Sequence, residues 1–209
     1  MPGRVNTKDK KTREVLLATR NRGKVREIRK LLKGLGIRIQ CLHDLPEAPE
    51  VEEDGRSFAE NALKKARFFA ALSGMLTISD DSGVEVEALN GQPGVYSARY
   101  AGEGASDQEN NQKLLNQMEG IPVSRRVAWF RCSIAIVSPE GKEAMAEGSC
   151  KGKIGFREAG KRGFGYDPLF IFPQYGKTMA QFTLAEKNRI SHRGKALRTL
   201  RRIIRSFLD

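Results

Sequence analysis

Two adjacent carboxylates in the middle of the chain have the residue types and the setting of a metal site. Asp80 and Asp81 follow the apolar run 76–78 and precede a Ser-Gly pair. Carboxylates at a strand end often hold a hard cation such as Mg²⁺, which takes one or two carboxylates plus substrate phosphates. Neighbouring strand residues point to opposite faces, so we expect the strand to end here and Gly83 to permit a turn that brings both carboxylates to one site. The alternative is a plain turn, which Asp, Ser and Gly also favour.

A polar loop that contains a glycine and a lysine has the features of a phosphate site. Residues Thr19 to Lys24 lie between a predicted strand, Glu14 to Ala18, and a predicted helix whose apolar residues from Val25 to Leu35 repeat at helical spacing. The backbone N–H groups and the dipole at a helix N-terminus favour an anion. The alternative is an ordinary strand-to-helix connection in which Asn21 caps the helix.

The acidic loop from Glu47 to Gly55 is a candidate second source of metal ligands, because a local acidic cluster stands out in so basic a chain. A solvated charged loop is the alternative. Directly after it, Ser57 to Glu60 forms a capping box that predicts a helix to about Leu72. Asn61 and Lys65 lie four residues apart on one face of this helix, which either borders a site or is ordinary surface.

A glycine-rich loop near the C-terminal third carries an aromatic residue that suits base stacking. Phe164 is flanked by Gly163 and Gly165, which leave the face of its ring open, and Asp167 precedes an apolar strand. An exposed ring in such a loop can stack on a nucleobase. The alternative is a ring tucked under the loop.

The elements that must position these residues predict an α/β fold with a mixed sheet. A second strand, Ile37 to Leu42, follows the first helix and completes a β-α-β unit, which implies parallel strands. Later in the chain, Val127 to Val137 and Lys142 to Gly148 predict a long hairpin, and Ser106 to Glu109 is a second capping box. The last helix has an apolar stripe from Leu197 to Phe207, with arginines on a solvated face.

Composition predicts an ordinary globular chain in a reducing compartment. The 209 residues are 39% hydrophobic and 30% charged, which fits one domain over residues 14–209, perhaps of two lobes. No apolar run approaches the roughly 18 residues of a membrane helix. Residues 1–13 are basic without an apolar segment, so we expect a disordered tail rather than a secretory signal. Three cysteines without close spacing favour free thiols and a cytoplasmic location.

The net charge of +12 points to an anionic partner. It can steer small anions such as nucleotides, or it can bind nucleic acid nonspecifically. Lysines and arginines are spread along the whole chain, and no aromatic RNA-binding motif accompanies them. Small anions are therefore favoured and a nucleic-acid partner is not.

Together these segments resemble the inosine/xanthosine triphosphate pyrophosphatase family in its bacterial form. The resemblance is collinear from about Val15 to Ile204, and six motifs in order carry it. Three small departures are Arg20 in place of a smaller residue, Val84 in place of leucine, and the basic tail. The six motifs are Ala18–Lys24, Ser57–Ala62, Ser79–Gly83, Pro93–Tyr100, Gly163–Pro168 and Ile190–Gly194.

The resemblance implies an elongated α/β fold, with a long mixed sheet, flanking helices, and two lobes around a nucleotide cleft. It also implies a homodimer. The implied activity is Mg²⁺-dependent hydrolysis of the purine nucleoside triphosphates ITP, dITP and XTP to the monophosphate and pyrophosphate, which cleanses the nucleotide pool.

The resemblance also assigns roles to single residues. Asp81 is the implied catalytic carboxylate and metal ligand, with Asp80 beside it. The second metal carboxylate is Glu52, with Glu53 as the register alternative. The implied substrate-binding residues are Thr19, Arg20, Asn21, Arg22, Gly23 and Lys24 around the triphosphate, Asn61 and Ser82, the base loop Phe164, Gly165, Tyr166 and Asp167, and Lys187, His192 and Arg193, which close over the nucleotide.

Two other interpretations stay open from the sequence. One is a Maf-like nucleotide pyrophosphatase, a related fold with a different base preference, against which Phe164 and the run 191–193 argue. The other is a basic nucleic-acid-binding module, whose binding would weaken steeply with salt.

Overall fold

The computed structural model describes residues 13–45 and 47–208, which form one mixed seven-stranded sheet with α-helices packed against it. The strands are β1 (Arg13–Leu17), β2 (Ile37–Cys41), β3 (Leu76–Val86), β4 (Val127–Val137), β5 (Glu143–Ile154), β6 (Phe170–Phe172) and β7 (Lys177–Thr178). The helices are α1 (Arg22–Leu32), α2 (Phe58–Ser73), α3 (Asp107–Gln117), α4 (Leu184–Ile190), α5 (His192–Ile203) and α6 (Arg205–Leu208).

The sheet has the order β2-β1-β3-β4-β5-β6-β7, and its two halves differ in strand direction. Strand β1 runs parallel to both β2 and β3, whereas every pairing from β3 to β7 is antiparallel. The predicted α/β fold, the β-α-β unit and the long hairpin are therefore confirmed, although β5 continues past Gly148 to Ile154.

We expected β3 to end at Asp80 and Asp81, and this prediction was wrong. It runs unbroken from Leu76 to Val86, because β4 pairs with it continuously and places Asp80 opposite Ile134. Gly83 does not form a turn. Its lack of a side chain matters because a Cβ there would lie 2.2 Å from the Ser97 hydroxyl. It permits a close approach of the 3₁₀ segment over residues 94–99. Asp80 and its neighbour therefore point to opposite faces of the sheet.

Two hydrophobic clusters meet along the long strands, and the polar part of β3 lies at the seam between them. Ile78 belongs to the first cluster, which joins β1 and β3 to α1 and α5. Val84 belongs to the second, which joins the other end of β3 and β4 to α3 and β6. Residues 79–83 thus occupy the seam, where side chains from both halves of the molecule can converge.

The helix ends confirm most of the predicted caps. Ser106 and Glu109 form the complete capping box of α3. Ser57 caps α2 as expected, but the box is only half formed, because the Glu60 carboxylate accepts from the Arg56 backbone N–H at 2.7 Å instead. Asn21 caps α1 through a 3.0 Å bond from the Lys24 N–H.

The start of the chain needs one correction. Arg13, which we assigned to the basic tail, is the first residue of β1. The rest of that predicted tail lies outside the described residues. Among helices in the described part of the chain, none is long and apolar enough to cross a membrane.

The contact between β5 and α5 gives a test of the fold. A Cβ added to Gly148 would lie 2.2 Å from the His192 carbonyl oxygen and 2.6 Å from the Ala196 nitrogen. Because both neighbours are backbone atoms, Gly148→Ala should force α5 away from the sheet and lower the free energy of unfolding by about 1–3 kcal/mol. Urea unfolding measures this change, and an unchanged midpoint would contradict the packing described.

Candidate active site

A cavity of about 290 Å³ opens at the seam between the two clusters and collects most of the predicted site residues. A larger groove of about 630 Å³ lies elsewhere and is lined by none of them. The smaller cavity is therefore the candidate active site. It is lined by Thr19, Asn21, Lys24, Glu53, Lys65, Asp81, Ser82, Gly83, Val95, Ser97, Ala98, Asp107, Asn110, Phe130, Phe164, Gly165, Tyr166, Asp167, Lys187, His192 and Arg193.

Asp80 lies beneath this cavity at the centre of a buried ion-pair network. It is fully buried and accepts from the Arg193 guanidinium through Nε at 2.8 Å and Nη2 at 3.2 Å. Lys24 Nζ lies 2.7 Å from its other side. Burial by itself would raise the pKa of Asp80, but these two cations outweigh burial and hold its pKa well below the usual range. With both oxygens engaged, the geometry favours a charge partner over a metal ligand.

Glu27 of α1 extends the network and was missed from the sequence. Its two carboxylate oxygens lie 2.7 Å from Lys187 Nζ and 2.6 Å from Arg193 Nη1. Burial would raise the pKa of Glu27, and Arg193 and Lys187 more than compensate and lower it. Lys187 also pairs with the buried Asp167. The buried network thus contains equal numbers of carboxylates and cations, so its charges compensate one another in the absence of solvent. The carboxylates are Asp80, Glu27 and Asp167, and the cations are Lys24, Lys187 and Arg193.

Asp81 faces the opposite side of the sheet, toward α2. One carboxylate oxygen accepts from the Ser82 N–H at 3.0 Å, while the other is buried without a hydrogen-bond partner among the described residues. Burial raises the pKa of Asp81, against the influence of the nearby Lys24 and Lys65 and of the adjacent Asn61 amide, which lies outside hydrogen-bonding geometry. A buried, unpaired carboxylate oxygen that lines a cavity is a position at which a cation or a proton can bind.

Of the two glutamates that the sequence left open, Glu53 reaches the cavity and Glu52 does not. Glu53 lines the cavity, pairs with Lys65 Nζ at 2.5 Å and is close enough to Asp81 to raise the pKa of that group. Glu52 is exposed and does not line the cavity. The Arg99 guanidinium fixes this register by donating to the Glu53 carbonyl at 2.8 Å. Of the two residues that the sequence left open, the geometry favours Glu53.

The predicted phosphate loop divides into residues that line the cavity and residues that do not. Thr19, Asn21 and Lys24 line it, at the N-terminus of α1. Arg22 is exposed, and Arg20 instead donates to the backbone carbonyl of residue 48 in the acidic loop. The extra charge at position 20 is thus aimed at a loop rather than into the cavity.

The glycine-rich loop over residues 163–168, the aromatic loop, forms one wall of the cavity. Phe164 is half-buried rather than open, because its ring packs on Gly23, where a Cβ would lie 2.3 Å from Cδ1. Lys187 Nζ lies 4.6 Å from the ring centroid, a cation–π distance. The Phe164 N–H donates to Asp167 at 2.9 Å, and the Tyr166 hydroxyl donates to the backbone carbonyl of residue 97 at 2.9 Å. Asp167 therefore orders the loop, while Tyr166 anchors it to the interior.

Three residues around the start of α5 line the cavity, and two of them have a donor that no described hydrogen bond uses. Arg193 uses four of its five N–H donors, on Asp80, Glu27 and Ser82. Lys187 uses two of its three, on Glu27 and Asp167. His192 stacks on the Phe130 ring at 4.6 Å, its Nδ1 lies 3.9 Å from the Cys150 Sγ, and burial lowers its pKa well below the usual range, so the imidazole is neutral. Arg193 and Lys187 thus each keep one N–H donor.

Asn61 and Ser82, the other two predicted contacts, flank Asp81. Ser82 lines the cavity and donates to Asp80 at 3.1 Å. Asn61 is buried behind the cavity and accepts from the Gly55 N–H at 2.7 Å, which places it as a support for the acidic loop. Lys65, four residues further along α2, reaches the cavity directly.

Comparison with known proteins now decides the family. A model of the Ham1 family matches residues 15–203. The chain belongs to the Ham1 family. It is 51% identical over 191 residues to the dITP/XTP pyrophosphatase of Desulforamulus reducens, covering 91% of this chain and 95% of that one. It is 52% identical over 187 residues to the dITP/XTP pyrophosphatase of Geobacter sulfurreducens, covering 90% and 94%.

Solved Ham1 structures agree with the fold. The HAM1 protein of Coxiella burnetii matches with a TM-score of 0.83 at 40% identity, over 93% of this chain and 99% of that one. The Ham1 protein of Staphylococcus aureus matches with a TM-score of 0.82 at 38% identity, over the same shares. The resemblance that six short motifs indicated is thereby confirmed for the whole Ham1 region of the chain.

The buried network supplies a stability prediction. Glu27→Gln removes one carboxylate charge and leaves Lys187 and Arg193 undercompensated, so the free energy of unfolding should fall by about 3–5 kcal/mol. Glu14→Gln is the matched control, because Glu14 forms an exposed pair with Arg38 at 3.5 Å and should change stability by less than about 1 kcal/mol. Equal losses in the two variants, measured by urea unfolding, would contradict the importance of the network.

Proposed function

We propose that this Ham1-family chain hydrolyses deaminated purine nucleoside triphosphates, namely ITP, dITP and XTP, to the monophosphate and pyrophosphate. The observation that carries the proposal is the seam cavity. There the unpaired Asp81 oxygen lies near Lys24 and Lys65, and a half-buried Phe164 ring lines the same cavity. Phosphates and a base can thus bind within one cavity. The names of the Desulforamulus and Geobacter relatives support the same substrate class.

The donor set fits a divalent metal, and Mg²⁺ is the one we propose. Asp81 and Glu53 are the carboxylates that would hold it. The Asp81 oxygen that has no hydrogen-bond partner among the described residues is free to coordinate such an ion. No group of three or more metal-ligating side chains is found in the described parts of the chain. A pair of carboxylates suits Mg²⁺, which completes its shell with water and substrate phosphates. When bound, the ion would neutralise phosphate charge.

The protein's own residues provide the rest of the phosphate chemistry. Lys24, Thr19 and the N-terminus of α1 bind and orient the triphosphate, and Lys65 adds a second cation. Water attacks the α-phosphorus, a new P–O bond forms, and the bond from that phosphorus to the bridging oxygen breaks to release pyrophosphate. Asp81, whose second carboxylate oxygen has no hydrogen-bond partner among the described residues, accepts the proton of the water.

Base selection follows from the donors that remain at the start of α5. Hypoxanthine and xanthine carry an acceptor oxygen at position 6, whereas adenine carries a donor amino group. Lys187 and Arg193 each have one N–H donor that the described hydrogen bonds leave unused, and both line the cavity beside the Phe164 ring. ATP would place a donor against donors, and each buried donor left unpaired costs about 1–3 kcal/mol.

The assembly and the compartment complete the proposal. We propose a homodimer, which the family resemblance implies and which sedimentation analysis would test. A reducing, cytoplasmic location is supported by three free, buried cysteines at positions 41, 132 and 150.

Removing the Asp81 charge tests the reaction. Asp81→Asn should lower kcat roughly 10²-fold or more, because both the proton acceptor and a metal ligand are lost. The free energy of unfolding should not fall, since a raised pKa means that folding disfavours the ionised form of this carboxyl. Glu53→Gln should raise the Mg²⁺ concentration needed for half-maximal rate, whereas Glu52→Gln should not. Near-wild-type kcat in Asp81→Asn at saturating Mg²⁺ would refute the assignment.

Substrate choice tests the donor pocket. Pyrophosphate release should be fast with ITP, dITP and XTP, poor with GTP and slowest with ATP. Two unpaired donors predict a kcat/KM for ATP on the order of 10²-fold or more below that for ITP. A ratio within about tenfold would show that these donors do not select the base.

A further inference from the structure

Two side chains of helix α3, one helical turn apart, form hydrogen bonds with the backbone of the aromatic loop. The Gly165 N–H donates to the Asp107 carboxylate at 2.6 Å. The Asn111 amide donates to the Gly165 carbonyl at 3.2 Å and to the Glu158 carboxylate at 2.9 Å. Both polar groups of one peptide residue next to Phe164 are thus bound by α3.

The restraint at Gly165 adds to those that Asp167 and Tyr166 supply from within the loop. Gly163 and Gly165 flank the aromatic residue, with φ angles of +81° and +56°. Glycine loses more backbone entropy on ordering than any other residue, so an unrestrained loop would sample many conformations. Asp167 binds both the Phe164 N–H, at 2.9 Å, and the Phe164 carbonyl, at 3.2 Å, but neither bond reaches Gly165.

The restraint is also tied to a rigid reference. Leu114 and Met118, at the other end of α3, are fully buried in the second hydrophobic cluster. The complete capping box fixes the first turn of the helix, where Asp107 lies. The ring itself packs on Gly23 at the start of α1, whose apolar face belongs to the first cluster. Helix α3 therefore sets the position of the ring between the two halves of the molecule.

We infer that Asp107 and Asn111 are positioning residues for base recognition, which hold Phe164 where a purine stacks. The inference rests on the proposed function, but its structural part does not. A preorganised ring costs less entropy when the base binds. Loss of the restraint should therefore weaken binding of substrates that carry a base and leave phosphate binding and the chemical step unchanged.

Variants at position 107 separate this role from a general effect on α3. Asp107→Ala removes the acceptor and should raise KM for ITP about three- to tenfold, the equivalent of one hydrogen bond, with kcat nearly unchanged. Asp107→Asn keeps an acceptor oxygen but loses the charge at the helix start, and should restore most of the affinity. Gln108→Ala is the matched control, an exposed position in the same turn, and should behave as wild type. Because Asp107 lines the cavity, losing its negative charge should not weaken the binding of inorganic tripolyphosphate, which has no base, so the inhibition constant should not rise in any of these variants.

A double-mutant cycle and hydrogen exchange complete the test. If Asp107 acts through the ring, Asp107→Ala should have no further effect on KM in a Phe164→Ala background. Amide exchange of the segment 163–167 in the ligand-free protein should be faster in Asp107→Ala than in Gln108→Ala. The inference is overturned by equal KM effects in both backgrounds, by weaker tripolyphosphate binding, or by unchanged exchange. Wild-type enzyme that fails to hydrolyse ITP would refute the proposed function instead, and the exchange comparison would then decide the restraint by itself.

Discussion

The ion pair between Arg193 and Asp80 is the interaction on which the architecture of the site depends. It joins the start of α5 to the middle of β3 with two charge-assisted hydrogen bonds, and both side chains are almost completely buried. Glu27 and Lys24 attach α1 to the same pair. A buried charge without a partner is costly, so each of these groups can be buried only because the others are in place. The elements that carry them are thereby fixed to one another at the seam.

This network explains why two adjacent carboxylates have different properties. Unbroken strand geometry directs Asp80 to the side of the cations and Asp81 to the side of α2. Asp80 keeps a pKa well below normal and stays ionised, whereas burial raises the pKa of Asp81 and leaves one of its oxygens unpaired. One carboxylate therefore holds the structure together, and its neighbour is available for chemistry.

Local patterns were enough to predict the elements, but not the contacts among them. Apolar periodicity and caps located β1, α1, α2 and the hairpin, and the motifs identified the family. Glu27 escaped because its partner Arg193 lies 166 residues away, although its position three residues after Lys24 places both on one face of α1. The continuity of β3 also escaped, because Ser82 and Gly83 have turn propensity and only pairing with β4 overrides it. The choice between Glu52 and Glu53 depends on the path of the acidic loop. The alternation of apolar and polar residues in the sequence does not predict that path.

The charges of the site explain why a basic protein would still need a metal. The cavity and its network contain four cations, Lys24, Lys65, Lys187 and Arg193, against six carboxylates, Asp80, Glu27, Asp167, Asp81, Glu53 and Asp107. With all six ionised, that set carries two net negative charges, even though the whole chain carries +12. The surplus of basic residues lies elsewhere and can attract a triphosphate only toward the mouth of the cavity. At the reacting centre a divalent cation offsets this local negative charge, so phosphate binding and metal binding there must be coupled.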